Sequence, residues 1–381
     1  MSAAMTRSKI AILAFAAVLY IAVLALSAKH QFGGNLSGFL FASPVGNCPE
    51  VHYDGLIVRD DSGYDGQFFY YIAIDPFVRS PSLYSCTRTD AYRYQRILFP
   101  MLASAVSAGN KERLPIAMLA VNLAGILLGT YFFIRICEAS GLHPGLALFF
   151  TFSTGCLISL TRNTCEPLYI AALIGAFYFY AVRRDLFLTA AALCLGTFAK
   201  ELALGTAGIL LMFEWIKRRN FKTSLWLLMP FGFYFLWQMR IDSLFAELPV
   251  QVTHAHPGAI QRSIVNFFAY YAERFAAVRA GSVQSWVDPL LQTNLILCLA
   301  FYAREALKME SPYPWIGGLF GLLVLAFSFP PNGTDFWGYG RHSAEIFLCA
   351  LMIYIVTKQK RYLIPLAANG LTFLLIAIVL T

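Results

Sequence analysis

Apolar residues run in long stretches along this chain, separated by short polar breaks. The first, Ile10–Ser27, is about 18 residues, long enough to span a bilayer core. Others follow at about 115–134, 145–160, 167–182, 186–199, 202–216, 223–239, 290–303, 313–329, 343–357 and 362–380. The pattern predicts an all-α polytopic membrane protein of about 11 transmembrane helices, with residues 1–381 forming a single transmembrane domain. One more stretch, Ile97–Ala108, has only about 12 residues and is interrupted by Pro100, so it is short for a span.

Charge placement decides how that short stretch is read. Arg7 and Lys9 put the N-terminus in the cytoplasm, because Lys and Arg accumulate on that side. If 97–108 crossed, then Arg183-Arg184, Lys217-Arg218-Arg219 and Lys358-Lys360-Arg361 would all fall outside. If it lies at the interface or re-enters, they fall inside together with Arg304 and Lys308. The second arrangement is the expected one. The outside then receives a first long extracytoplasmic loop, 29–114, with interfacial helices. It also receives the tight loop 161–166, the break at Lys200-Glu201, a second long loop, 240–289, and the loop 330–342. Adjacent charges at a helix break are costly in lipid, so Lys200-Glu201 is expected to face a cavity.

Composition agrees. The 381 residues are 58% hydrophobic and 13% charged, against about 25% charged in a soluble domain. Mean hydropathy is +0.61. No A-x-A-like cleavage site follows the first stretch, which is therefore expected to be a retained helix. The net charge of +8 contains no Lys/Arg-rich tract, so nucleic acid is not an expected partner. There is no Walker A, Gly-rich dinucleotide fingerprint, HExxH or CxxC. Cys137, Cys156, Cys194, Cys298 and Cys349 lie in or beside apolar segments and are expected as small core residues. Cys48 and Cys86 share the first polar loop, where both a disulfide and two free thiols stay open.

Nearly all of the unusual polar residues lie on the predicted outside. The loop 52–76 carries Asp54, Asp60, Asp61, Asp65 and Asp75, and its stretch GYDGQFFYYIAIDP sets Asp65 beside aromatics at the membrane edge. Gly66 permits a tight turn or a close backbone approach there. DAYRYQRILFP supplies Asp90, Arg93 and Arg96, the arginines three apart and so on one helix face. TRNTCEPLY supplies Arg162 and Glu166, followed by Lys200 and Glu201 at the helix break. PPNGTDFWGYGRHSAE supplies Asp335, Arg341 and His342. Carboxylates, phosphate-clamping arginines and sugar-stacking aromatics point to anion and carbohydrate chemistry. Asp61-x-x-x-Asp65-Gly66 lacks the third-position oxygen ligand and closing Glu of a calcium loop, so no metal site is expected.

These residues carry a resemblance. A helix leading outward, a long outside loop with an early Asp motif, an interfacial helix and then many spans with short inner turns look like the GT-C superfamily of polytopic glycosyltransferases. YDGQFFYYIA resembles the [WY]-D-G-x-x-Y/F-x-x-I-A motif of its mannosyltransferase-like branches, YRYQRILFP resembles the segment after it, and NTCEPLYIAAL resembles a T-E-x-L-F-type helix start. The sequence departs at Tyr64, where many relatives carry Trp, and at Cys165, which interrupts the Thr-Glu pair.

The resemblance implies a sugar donor carried on a polyprenyl phosphate, a glycan, lipid or protein acceptor, and no cofactor. Asp65 would be the general base for an inverting displacement at the anomeric carbon. Phosphate is a good leaving group, so no paired general acid is needed. Arg341, Arg93, Arg96 and Lys200, with His342 assisting, would hold the leaving phosphate. Glu166 and Glu201 would orient the acceptor or the basic groups, with Asp54, Asp75 and Asp90 as alternative bases. The rival readings are a lipid-linked sugar transporter or flippase, an oligosaccharide ligase or polymerase using Arg240, Arg262, Arg274 and Arg279, and a non-enzymatic scaffold. Asn35-Leu36-Ser37 and Asn332-Gly333-Thr334 are outside sequons, while the compact loops favour a bacterial inner membrane with an extracytoplasmic active site.

Overall fold

The computed structural model describes residues 3–44, 51–60, 63–80, 83, 91–245, 259–278, 282–308, 310–328 and 336–381. Cys48, Asp61, Cys86, Asp90, Asn332 and Asp335 lie outside the described residues. All regular elements among the described residues are helical, apart from an isolated β-bridge between Ala42 and Val58. The principal helices are α1 (Ala3–Phe32), α2 (Asp65–Ile74), α3 (Leu98–Ser107), α4 (Leu114–Ala139), α5 (Thr154–Leu160), α6 (Glu166–Tyr178) and α7 (Leu186–Ala199). They continue with α8 (Ala203–Ile216), α9 (Met229–Phe245), α10 (Ala259–Ala276), α11 (Val283–Ala306), α12 (Tyr313–Phe327), α13 (Ser343–Thr357) and α14 (Leu363–Leu380).

Among the described residues, four helical stretches are long and apolar enough to cross a membrane: Arg7–Phe32, Leu114–Ala139, Val283–Ala306 and Lys360–Leu380. Shorter apolar helices include α3, α7, α8, α12 and α13. Large apolar side chains such as Val18, Phe235, Leu322 and Ile378 point outward, a surface that lipid covers and water does not favour. The coarse expectation of a helical membrane protein therefore stands.

Several elements differ from the sequence pattern. The stretch 145–160 is not one helix. It forms a 3-10 turn at Pro144–Ala147, a helical turn at Leu148–Thr151, and then α5. Ser153 breaks it, its hydroxyl accepting from the Cys156 amide as an N-cap, which local hydropathy does not reveal. The described residues of the loop set at 240–289 are largely helical. α9 continues to Phe245, α10 lies within it, and α11 starts at Val283. α10 has an apolar and a polar side rather than a continuous apolar run. The cysteines at 137, 156, 165, 194, 298 and 349 are buried and unpaired, as small core residues.

Two ends of the bundle can be told apart. At one, Lys9 pairs with Glu138 at 2.8 Å, Lys358 donates to the Ser140 carbonyl at 3.1 Å, and Arg361 and Lys308 meet Glu305 at 2.7 and 2.8 Å. These are members of the basic clusters that the charge rule assigns to a single side. The other end holds the N-termini of α2 and α6 and the break between α7 and α8.

Glycines let the helices meet closely. A Cβ on Gly125 of α4 would lie 2.9 Å from the Pro167 carbonyl carbon and 3.0 Å from the Leu168 amide of α6. Gly125→Leu is therefore expected to cost about 1–3 kcal/mol, read as a lowered unfolding midpoint in detergent. Gly232→Leu, where a Cβ meets nothing within 4 Å, is the matched control. Equal midpoints for both variants would show that this contact does not hold the bundle.

Candidate functional site

The polar end of the bundle is built around a short aromatic loop. Tyr64 is extended, with φ −142° and ψ 170°, and α2 begins at the next residue, so Asp65 stands in its first turn. A carboxylate there is favoured by the positive end of the helix dipole. α2 is seated by Gln67, whose side-chain carbonyl accepts from the Ser43 amide at 2.9 Å and from its hydroxyl at 3.1 Å. Gly66 faces the 162–164 turn so closely that a Cβ would stand 2.2 Å from the Arg162 carbonyl oxygen. Here the glycine is needed for close approach. Arg162 is sandwiched between Phe41 at 3.7 Å and Trp337 at 4.0 Å, and the Tyr64 hydroxyl donates to the Trp337 carbonyl at 2.6 Å. These contacts bring the first loop, the 161–166 turn and the 336–342 segment together.

Asp65 meets two arginines. Arg341 Nη2 donates to its Oδ2 at 2.7 Å and Arg93 Nη2 to its Oδ1 at 3.3 Å. Arg93 also lies 3.7 Å from the Phe68 ring centroid. Burial on its own raises the Asp65 pKa, but the two guanidiniums outweigh it and hold the carboxyl below its usual range. Burial pushes the neighbouring Tyr64 phenol up to about 12, so it stays a hydrogen-bond donor. Arg96 binds Glu201 through two bonds, Nε at 2.9 Å and Nη2 at 2.7 Å, and its Nη2 also reaches the Tyr92 hydroxyl at 2.7 Å.

Deeper in, Lys200 has no exposed surface. Its ammonium lies 3.0 Å from Glu345, 3.3 Å from Glu166 and 2.9 Å from His342 Nδ1. The short distance to an ammonium makes Nδ1 the unprotonated, accepting nitrogen. Burial, then the Lys200 and Arg341 charges, push the His342 pKa well below its usual value, so the ring is neutral at pH 7. Arg341 bridges the two layers, with Nε 3.7 Å from Glu166. Its Nη1, buried, makes no hydrogen bond among the described residues.

A cavity of about 410 Å³ opens between these groups. Asp65, Tyr92, Arg96, Lys200, Glu201, Arg341, His342 and Glu345 line its polar side, and Phe320, Leu323, Val324 and Phe327 of α12 its apolar side. Such a space suits a ligand with an anionic, hydroxyl-rich head and a hydrocarbon tail.

The structure thus brings together Asp65, Arg93, Arg96, Glu166, Lys200, Glu201, Arg341 and His342. It does not bring Asp75 or Asp54. The Asp75 carboxylate accepts from the Ser80 amide at 2.7 Å and lines a separate cavity beside Phe77 and Arg79. Asp54 is exposed in the loop. Asp90 lies outside the described residues. Glu345 and Tyr92 were missed as site residues. Glu345 looks like one polar residue in an apolar run, and an unpaired carboxylate there is costly enough to signal a partner.

Two outcomes test this geometry. Gly66→Ala should lower the unfolding midpoint and displace Asp65, because the 162–164 backbone cannot yield by that distance. An unchanged midpoint would refute the close seat. His342, with its folded pKa depressed below the unfolded value of about 6.5, contributes stability that is present above that pH and lost as pH falls. His342→Asn should therefore show a shallower fall in midpoint below about pH 6.5 than the native chain. Parallel slopes would remove His342 from the acid response.

Comparison of the chain with known protein families, curated proteins and solved structures finds no match.

Proposed function

We propose that this protein is an integral membrane glycosyltransferase that moves a sugar from a polyprenyl-phosphate donor to an acceptor hydroxyl at the extracytoplasmic surface. The observation that carries the reading is the cavity where Asp65, the half-buried Arg341 with a buried, unspent Nη1 donor, and the apolar wall of α12 converge. A buried donor without a partner costs about 1–3 kcal/mol, which an arriving phosphate oxygen would recover. The apolar wall gives the isoprenoid tail a place beside the charged head. The acceptor is a glycan, lipid or protein hydroxyl. Of the proposed eleven spans, the shorter apolar helices would supply the remainder, in a GT-C-like arrangement with the N-terminus cytoplasmic, in a bacterial inner membrane.

In this reading the acceptor oxygen attacks the anomeric carbon as the carbon–oxygen bond to phosphate breaks. Asp65 takes the hydroxyl proton, and the polyprenyl phosphate leaves with the electron pair, held by Arg341. The reaction inverts the anomeric centre. The same contact that keeps Asp65 ionised also makes it a weak base. A donor phosphate that draws Arg341 toward itself loosens the 2.7 Å pair and raises the basicity of Asp65 as the donor seats. Arg93, stacked on Phe68, keeps the carboxylate oriented. Arg96 is held by Glu201 and shapes the cavity rim, while Lys200 and Glu166 fix Arg341 from behind.

The transporter reading draws on Lys200, a buried cation among ionisable groups inside a helical bundle. The charged groups around it gather at one end of α7 rather than along a path, which favours the transferase. A ligase or polymerase would share the donor.

The test uses the purified protein and a panel of polyprenyl-phosphate sugars, with retention read by native mass spectrometry and transfer by product release. The native chain should retain a donor. Asp65→Asn should retain it but lose about 10²–10⁴-fold in transfer. Arg341→Ala should lose retention. Undiminished transfer by Asp65→Asn would remove it as the base, and sugar flux across proteoliposomes without bond cleavage would replace the transferase with a transporter.

A further inference from the structure

A second cavity, of about 520 Å³, lies at the opposite end of α7. The helix has 14 residues, so the two cavities stand about 20 Å apart. This one is lined by Arg183, Arg184, Arg218, Glu214, Tyr180, Asn220 and Trp226, among others.

Its floor is a finished polar network. Glu214, 1% exposed, accepts from the Tyr180 hydroxyl at 2.8 Å, from Arg218 Nη1 at 2.8 Å and from Asn220 Nδ2 at 3.2 Å. Arg218 also lies 4.9 Å from the Tyr180 ring centroid. The buried carboxylate is thereby neutralised and holds Arg218 in place. The other acid, Asp185, is committed to capping α7, accepting from the Leu188 amide at 2.9 Å. Arg183 and Arg184 are different. Among the described residues they form no ion pair and no side-chain hydrogen bond. They are set by a π-helical turn at Phe179–Arg183, and Arg184 takes the left-handed conformation at φ 51°, unusual for a residue other than glycine.

The rim is apolar. Phe187 and Trp226 pack edge to face at 5.0 Å and are 46% and 48% exposed. Phe221 and Leu225 beside them are exposed as well. Trp at a polar–apolar boundary is the usual membrane-interface arrangement. Orientation alone would be served by positive charge anywhere on this side. It requires neither a cavity, nor a buried carboxylate bracing Arg218, nor an aromatic rim.

We propose that this cavity binds the phosphate of an anionic phospholipid from the leaflet at that end of the bundle, with Arg183 and Arg184 on the phosphate and Phe187 and Trp226 against the glycerol and upper acyl chains. The assignment is independent of the transferase reading. Guanidinium forks suit phosphate oxygens, and a polar floor beneath an apolar rim matches a headgroup joined to acyl chains.

The test compares phosphatidylglycerol with phosphatidylcholine of identical chains, bound to the detergent-purified full chain and counted by native mass spectrometry. The native protein should retain phosphatidylglycerol roughly tenfold better. Arg183→Ala/Arg184→Ala should lose that preference, while Lys360→Ala, at another basic turn, should keep it. Arg183→Lys/Arg184→Lys preserves the charge that sets topology but not the bidentate fork. It should insert normally and show a preference reduced several-fold. Equal preference in the native and alanine proteins would overturn the proposal, as would no preference in the native protein. Thermal protection by inorganic phosphate without lipid preference would overturn the lipid assignment in favour of a soluble anion.

Discussion

The buried ammonium of Lys200 is the contact on which the polar end of this bundle depends. It stands at the break between α7 and α8 and reaches Glu166 at the start of α6 and Glu345 in the first turn of α13. Four helices are thereby referenced to one charge. A buried pair of this kind adds little net stability over a well-packed apolar core, yet removing one partner costs about 3–5 kcal/mol because the rest are left uncompensated. What it supplies is placement: Glu166 sits behind Arg341, and Arg341 faces Asp65.

Charge is matched at each step outward. Asp65, Glu166, Glu201 and Glu345 are set against Arg93, Arg96, Arg341 and Lys200, with His342 neutral among them. A site balanced in this way holds its shape without ligand. Among the described residues, Nε and Nη1 of Arg341 are buried donors that this balance leaves without a hydrogen bond. The apolar face of α12 explains why the matched cluster sits beside hydrocarbon rather than in open water.

Much of the site could be read in the sequence because polar residues in an apolar chain are expensive and therefore informative. Asp65, Arg93, Arg96, Glu166, Lys200, Glu201, Arg341 and His342 stood out against their surroundings, and the structure gathers them. Asp75 stood out equally, but its carboxylate serves a local turn with Ser80, a pairing that only backbone geometry reveals. Glu345 was hidden because it occupies one position in a helix that is otherwise apolar. The helical character was equally legible from long apolar runs. The break at Ser153 was not, because a serine cap and a serine inside a helix look alike in composition. α10 was not either, because an amphipathic helix scores like a polar loop in a hydropathy average.

The bidentate Arg96–Glu201 pair also constrains how this sequence can drift. Arg96 lies in the first loop and Glu201 at the α7–α8 break, 105 positions apart, and both bonds run between the same two side chains. Losing either residue strands the other's charge in a largely enclosed place, so single substitutions at these positions pass through a destabilised intermediate. The two positions are therefore expected to change together, as a joint exchange to a neutral or charge-reversed pair, and to do so rarely. A correlated substitution pattern of that kind would mark this corner of the cavity in any set of descendants of the chain.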